Sequence, residues 1–456
     1  MSKTLDLARR ALAAAGRDAL ATVSRERSTM LRFARSRPTQ ATSVYDTTVE
    51  IAVVRAGHVG RAATNKTDQD GLSACAHVAT LAAEAAASGG EGHFPGFPDP
   101  APLRAHAGHD PETARLDPAI GGAALGEAFG VAAESGIEVG GIWTAGEVQT
   151  SIASSTGIEV TDRVTDAFMK TIATAPGGRT GYTAQAAVGA GAIDPRGLTE
   201  RAARKANLPG EPAALEPGEY TVVFEPPAVS ELLWTLGAAA FDGLAHAEGR
   251  GALTGRLGTR VVSPAINLSD SPRFGSTLPR AFDAEGVPKT PIPLIQDGVA
   301  HRVVHDTRSA AIDGGATAST GHALVAGGQA SGPRPTNLVM VGGGAADEQE
   351  LCAPVERGIY VTRLWYANTI RPADTLFTAV TRDGTFLIEN GRITRPIEDM
   401  RITDSALGVL ARVQALGARS VLTADGELYG RRFATGAVCP PLRADGVRFT
   451  GSAAAS

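Results

Sequence analysis

Beyond residue 255 the chain runs as short, strand-like segments set off by turn-forming residues: "TRVVSPAINLSD", "PIPLIQDGVAHRVVH", "TNLVMVGGG", "RGIYVTRLWYANTIRP" and "TLFTAVTRDGTFLIENGRITR". β-branched and apolar runs of this length, bounded by Gly, Pro, Asp and Asn, predict a β-rich unit. Between "TFLI" and "ITR", Asn390 and Gly391 stand where a two-residue type I′ hairpin needs positive φ. Immediately upstream, "EYTVVFEPPAV" is a strong strand that leads into a helix, "ELLWTLGAAAFDGLAHAEGR", over 231–250.

Ahead of that unit the pattern is mixed. The first helix, in "SKTLDLARRALAAAGRDAL", puts Leu5, Leu7, Ala8, Ala11 and Leu12 on one face. In "TTVEIAVVRAGHVGRAATN", Val49, Ile51 and Val53 alternate with Thr48, Glu50 and Ala52, and Gly57 and Gly60 mark a turn, which predicts a strand pair. "DQDGLSACAHVATLAAEAAA" and "DPAIGGAALGEAFGVAAESG" read as helices. The Pro/Gly-rich stretch between them, "GGEGHFPGFPDPAPLRAHAGHD", is a loop long enough to need a reason. Strands follow in "IEVGGIWTAGEVQTSIASSTG" and "IEVTDRVTDAFMKTIATA", then a polar Pro/Gly boundary near residue 216. At 456 residues the chain is too long for one ordinary core. The expected fold class is therefore α/β (α+β) in two domains: an N-terminal mixed α/β domain, 1–215, and a C-terminal β-rich domain, 216–456.

Hydrophobic content of 43% and a net charge of −5 describe a soluble globular chain and argue against a nucleic-acid binder, which needs clustered Lys and Arg. No stretch approaches the ~20 apolar residues that span a bilayer, and the N-terminus lacks a signal peptide's apolar core, so a cytoplasmic protein is expected. Cys75, Cys352 and Cys439 are odd in number and far apart, which speaks against a disulfide framework.

Phosphate-loop, GxSxG, HExxH and CxxC motifs are absent, and "GGGA" at 342–345 reads as a tight turn. His93, His106, His109 and Asp110 have zinc-competent side chains but lie in an irregular loop, where solvated residues are the simpler reading. Asp242 and His246 are four apart on the 231–250 helix and share a face. That spacing suits two metal ligands, an acid/base pair or a helix-end ion pair. Cys439, followed by two prolines, is a buried inert thiol or else a ligand or nucleophile.

Taken together, "VVFEPPAVSELLWTLGAAAFDGLAHAEGR", "VVSPAINLSDSP", "AFDAEGVPKTPIPLIQDGVAHRVVHDTRSA", "PRPTNLVM" and "RGIYVTRLWYANTIRPADTLFTAVTRDGTFLIENGRI" resemble the TldD/TldE (PmbA) family of metallopeptidase-related proteins, with details like those of actinobacterial members. "ERSTMLRFARSRPTQ", "ATNKTDQDGL" and "SIASSTG" fit the family's weaker N-terminal pattern. In TldD-type members the helix after the "VVFEP"-like strand carries HExxxH, two zinc-binding histidines and a glutamate base. The resemblance places Trp234 and Ala239 at the histidine positions and Thr235 at the glutamate position. Indole and methyl do not ligate zinc, and Thr235 has no accessible pKa for taking a proton from water. Cys439 matches the family's late cysteine, which completes the zinc site in TldD-like chains.

The resemblance thus implies a TldE-like subunit without zinc of its own, paired with a TldD-like chain that carries intact HExxxH and the metal. The pair would enclose a chamber for extended peptides. A peptide can be held by adding it to a sheet edge, and the strands around "RGIYVTRLWYAN" and "TAVTRDGTFLI" are the candidates, with Tyr366 and Arg382 as polar contacts. The alternative is a stand-alone homodimeric amide hydrolase acting on a small molecule or modified peptide in natural-product biosynthesis, with Asp242, His246 and Cys439 as replacement groups. A binding module without a hydrolytic partner is a third reading.

Overall fold

The segment "ALATVSRERSTMLRFA", which has no clean alternation, forms β1 (Ala19–Ala34) and starts a six-stranded sheet. It is joined by β2 (Arg37–Arg55), β3 (His58–Thr64), β4 (Glu138–Ser154), β5 (Glu159–Thr174) and β6 (Thr180–Ala187). All pairs are antiparallel, in the order β3-β2-β1-β4-β5-β6. The strand pair expected at 48–64 is the inner part of β2 with β3. The outer part of the β1–β2 hairpin escapes sequence reading because residues 37–46 are nearly all exposed, so no apolar period marks them. The structure is a computed structural model describing residues 2–90, 92–314, 318–424 and 430–452. Glu91 of the long loop and the last four residues of the C-terminal tail lie outside these.

Alternation along the strands divides two environments. On one face, Ala19, Ala21, Val23, Val49, Ile51 and Val53 pack under α1 (Lys3–Ala15) and α2 (Gln69–Ala87). Trp143, Ala145, Ala167 and Met169 pack under α3 (Pro118–Glu134) and α4 (Pro195–Ala206). Gly121 of α3 is there because a Cβ would sit 2.7 Å from the Trp143 ring. Asp68, Asp117 and Asp194 cap α2, α3 and α4 by accepting from the amides of Gly71, Ala119 and Gly197, each cap contributing about 1 kcal/mol. One residue along each strand, Leu20, Ala52 and Ile152 point to the opposite face, where Phe94, Phe97, Phe282 and Ala326 cover them. The long loop therefore has its reason: Phe94 and Phe97 seal the sheet's second face.

The later strands are β7 (Gly218–Phe224), β8 (Leu268–Asp270), β9 (Ile292–Gln296), β10 (Val299–Ala300), β11 (Asn337–Met340), β12 (Arg357–Arg371) and β13 (Leu376–Glu389). They continue with β14 (Arg392–Pro396), β15 (Met400–Ser405), β16 (Val413–Leu416), β17 (Val421–Thr423), β18 (Gly436–Cys439) and β19 (Leu442–Ser452). One sheet has the order β10-β9-β8-β11-β18-β17. The other runs β12-β7-β19-β15-β13-β14, and β12 also pairs with β13, so its first five strands close into a ring. Asn390 and Gly391 have φ of 48° and 77° at the β13–β14 hairpin, as its turn type requires. "GGGA" runs beside the 416–418 backbone instead of folding on itself. A Cβ at Gly342 would lie 2.4 Å from the Ala418 carbonyl.

The expected single helix over 231–250 is two helices. The chain after β7 forms α5 (Pro226–Ala239), leaves the helix at Ala240–Asp242, and restarts as α6 (Gly243–Ala247). Two interactions enforce the break. The Asp242 carboxylate accepts from Leu244 N (2.9 Å) and Ala245 N (3.3 Å), capping the new helix. Phe241 O and Gly243 N both bond to the backbone of Val304.

Candidate functional site

α5 is apolar nearly all round, with Ala228, Val229, Leu232, Leu233 and Leu236 in the largest core and Trp234 half-buried against it. Thr235 is buried, and its hydroxyl donates 2.9 Å to the Glu231 carbonyl one turn back. Ala239 is buried as well. These three positions offer no metal donor and no base, and among the described residues no cluster of three His, Cys, Asp or Glu side chains is arranged to hold a metal ion. The residues present do not fit zinc.

Cys439 is not brought to those positions. It ends β18, fully buried, with Sγ 3.4 Å from the carbonyl of Pro226 at the first turn of α5. Trp234 is eight residues further along, about 12 Å at the helical rise, and Ala239 about 20 Å. Burial pushes the thiol's pKa well up, the opposite of what a nucleophile or zinc ligand needs. Asp242 and His246 no longer share one long helix. Asp242 is an N-cap whose carboxyl is pushed up by burial, and His246 Nδ1 is enclosed without a hydrogen-bond partner. Cys439 lies at the first turn of α5, while Asp242 and His246 stay one turn apart at α6, beyond its end.

Two of the three loop histidines are committed elsewhere. His106 Nε2 lies 2.8 Å from Asp162, and His109 Nε2 lies 2.9 Å from Glu147. Asp110 accepts from both the amide and the hydroxyl of Thr113. His93 joins neither contact.

Tyr366 and Arg382 do come together, through Trp365. The Trp365 and Tyr366 rings stack at 5.2 Å, and the Arg382 guanidinium lies 3.7 Å over the indole. Tyr366 is exposed and takes a left-handed φ of 49° at a bulge. The proposed edge needs correction. Gly358–Val361 pairs with β7 on one side and β13 on the other, so this part of β12 is interior. Beyond Val361 the strand pairs, among the described residues, with β13 alone. The open edge is therefore the outer part of β12 that carries Tyr366.

A second constellation, buried and charged, went unnoticed in the sequence. A cavity of about 160 Å³ lies between the second face of the first sheet and the segments 280–289, 321–326 and 431–433. Arg280, Asp283, Lys289 and His322 line it on one side, Thr150 and Asp162 on the other. Behind it Lys289 Nζ and His322 Nε2 stand 3.4 and 3.3 Å from the fully buried Asp270. Burial alone would push the Asp270 carboxyl up, but these two neighbours hold it well below the usual carboxylate range. Burial pushes Asp283 up to about 6; burial and the Asp283 charge push Glu285 up to about 8. "FDAEGVPK" contains three of these groups, and a charged triplet in an otherwise apolar stretch was the available signal.

Comparison with known proteins agrees with this architecture. The chain matches the PmbA/TldA metallopeptidase domain 1 over 21–86, its central domain over 116–208 and its C-terminal domain over 217–451. It is 28% identical over 173 residues to the metalloprotease TldD homolog of Haemophilus influenzae, covering 37% of this chain and 34% of that protein. It is 25% identical over 201 residues to a metalloprotease of Methanothermobacter thermautotrophicus, covering 44% and 43%. The chain thus spans less than half the length of these curated relatives. The crystal structure of TldE from Thermococcus kodakarensis superimposes with a TM-score of 0.84 at 20% identity, over 98% of this chain and 99% of that one. Matched along most of its length, with the C-terminal domain alone covering more than half, the chain belongs to the PmbA/TldD metallopeptidase family.

Proposed function

We propose that this chain is a TldE-type subunit that contributes walls, and no metal site, to a TldD/TldE-type peptidase. One observation carries the reading. The helix that in a TldD-type chain would hold HExxxH presents here an indole, a back-bonded hydroxyl and a methyl group. Hydrolysis then depends on a TldD-like partner that supplies zinc, the metal acting as Lewis acid and activating water. This chain's share is to hold substrate. The open edge of β12 offers backbone groups to an extended peptide, and the Trp365–Tyr366–Arg382 stack offers a flat face for its side chains.

The stand-alone hydrolase reading is less well supported, because Asp242 is spent on capping and Cys439 is sealed beneath α5. The test is metal content and amide hydrolysis of the purified chain, alone and mixed with its cognate TldD-like protein. Activity in the mixture only, with zinc in the partner, is the expected result. Hydrolysis by this chain alone would overturn the proposal.

A further inference from the structure

We infer that the cavity beneath the first sheet is a binding pocket for a small carboxylate. The argument starts from Arg280. Its guanidinium donates one hydrogen bond, Nη2 to the Ala434 carbonyl at 2.8 Å, and the Phe433 ring covers its face at 3.5 Å. Its Nε is enclosed and has no hydrogen-bond partner. Burial pulls the guanidinium down to about 10, while Asp162 and Asp166 act on it through space without pairing, so the enclosed cation is incompletely compensated.

The other charges around the cavity are already matched. Arg432 is paired with Asp166, and Arg431 at the rim faces Glu50. Asp162 is taken by His106 and by the amide of Ala281. The oxygens of Asp283 accept from the amides of Glu285, Val287 and Ala323, so this acid faces its own loop. On the same side as Arg280, Lys289 donates to the Gly321 carbonyl and shares Asp270 with His322. Among the described residues Arg280 is a lining cation with no carboxylate paired to it, and Lys289 gives the same wall a second cation. Val148, Ile152, Val164 and Phe282 form an apolar patch in a lining that also carries Thr22, Ser24 and Thr150. Polar groups converging beside an apolar patch in a concave site are a usual build of a small-molecule site. A cavity near 150 Å³ holds a ring the size of benzene, so the occupant is a compact acid with an apolar body. Its carboxylate would take the free donors of Arg280 as a charge-assisted pair. Two sources share this chemistry: a free small acid, and the C-terminal residue of a peptide. All the groups belong to this chain, so the inference does not rest on the subunit reading.

The experiment is calorimetric titration of the full chain, alone, with benzoate and with its neutral isostere benzamide. Saturable one-to-one binding of benzoate, with benzamide weaker by about tenfold or more, is expected. Arg280→Gln should bring benzoate down to the benzamide level. Thr150→Met, which fills the opposite wall and leaves Arg280 intact, should abolish both. Should Arg280→Gln fail to fold, the acid–amide comparison on the unaltered protein still decides. Acetyl-glycyl-phenylalanine and its C-terminal amide separate the sources. Preference for the peptide acid over benzoate identifies a peptide C-terminus, and preference for benzoate identifies a free acid. Equal binding of benzoate and benzamide, or no saturable binding of any probe up to about 10 mM, would overturn the inference and leave a structural void.

Discussion

The Thr235 hydroxyl is engaged with its own helix, and Ala239 is packed on all sides. Restoring donors at these positions therefore meets filled space. Trp234→His, Thr235→Glu and Ala239→His combined should fail to take up zinc one-to-one in a metal-binding titration. Overpacking at Ala239 should also lower stability by about 1–3 kcal/mol. The thiols make a second residue-scale test: Cys75, Cys352 and Cys439 are all buried and free, and burial pushes Cys352 up to about 12. A thiol-reactive reagent should label none of them in the native protein and all three after denaturation. Glu285 sets a pH dependence. Its folded pKa, raised to about 8, exceeds its unfolded value, so the folded state binds the extra proton and stability falls as pH rises toward 8. Below about 6.5 the buried histidines His305 and His322, pushed down by burial, act in the opposite sense. Between pH 7 and 8, denaturant unfolding should therefore show a loss of about 1 kcal/mol. Glu285→Gln should flatten that slope.

At the scale of elements, the break between α5 and α6 decides what Asp242 is for. If it is a cap, Asp242→Ala should cost about 1–2 kcal/mol in thermal or chemical unfolding, while Asp242→Asn, which keeps a side-chain acceptor, should cost a fraction of that. A catalytic carboxylate would show the reverse sensitivity, with activity lost in Asn and stability kept. Much of this level was legible from residues alone. Val49, Ile51 and Val53 alternate because one side of β2 faces helices, and Asn390-Gly391 announces its turn by backbone conformation. What was hidden has physical causes. The outer β1–β2 hairpin is exposed on both sides and so carries no apolar period. The end of α5 is dictated by Val304, some sixty residues away, which no local window contains. The charged cavity draws on segments that converge only in the folded chain, so nothing short of the fold could place Arg280 beside Phe433 and opposite Thr150.

Across the whole molecule, the segment at Arg432 ties the two halves together. Its guanidinium donates to both oxygens of Asp166 and to the Thr144 hydroxyl, while its amide donates to Glu26. The pair is buried, so removing one member leaves an uncompensated charge. Arg432→Ala should lower unfolding stability by about 3–5 kcal/mol, and Asp166→Asn in the same chain should recover part of it. Closure of the strand ring has a consequence for how the protein is made. Phe224 of β7 is matched to Leu442 of β19, and Val223 to Tyr360 of β12. As the nascent chain leaves the ribosome, β7 must wait for more than a hundred further residues before its parallel neighbour exists, and for more than two hundred before its antiparallel one does. The first sheet, complete by residue 187, has every strand in hand long before then. Synthesis thus imposes an order that the finished fold does not show: the N-terminal sheet can assemble during translation, while the ring closes in one late event, with a strand edge exposed to chaperones in the interval.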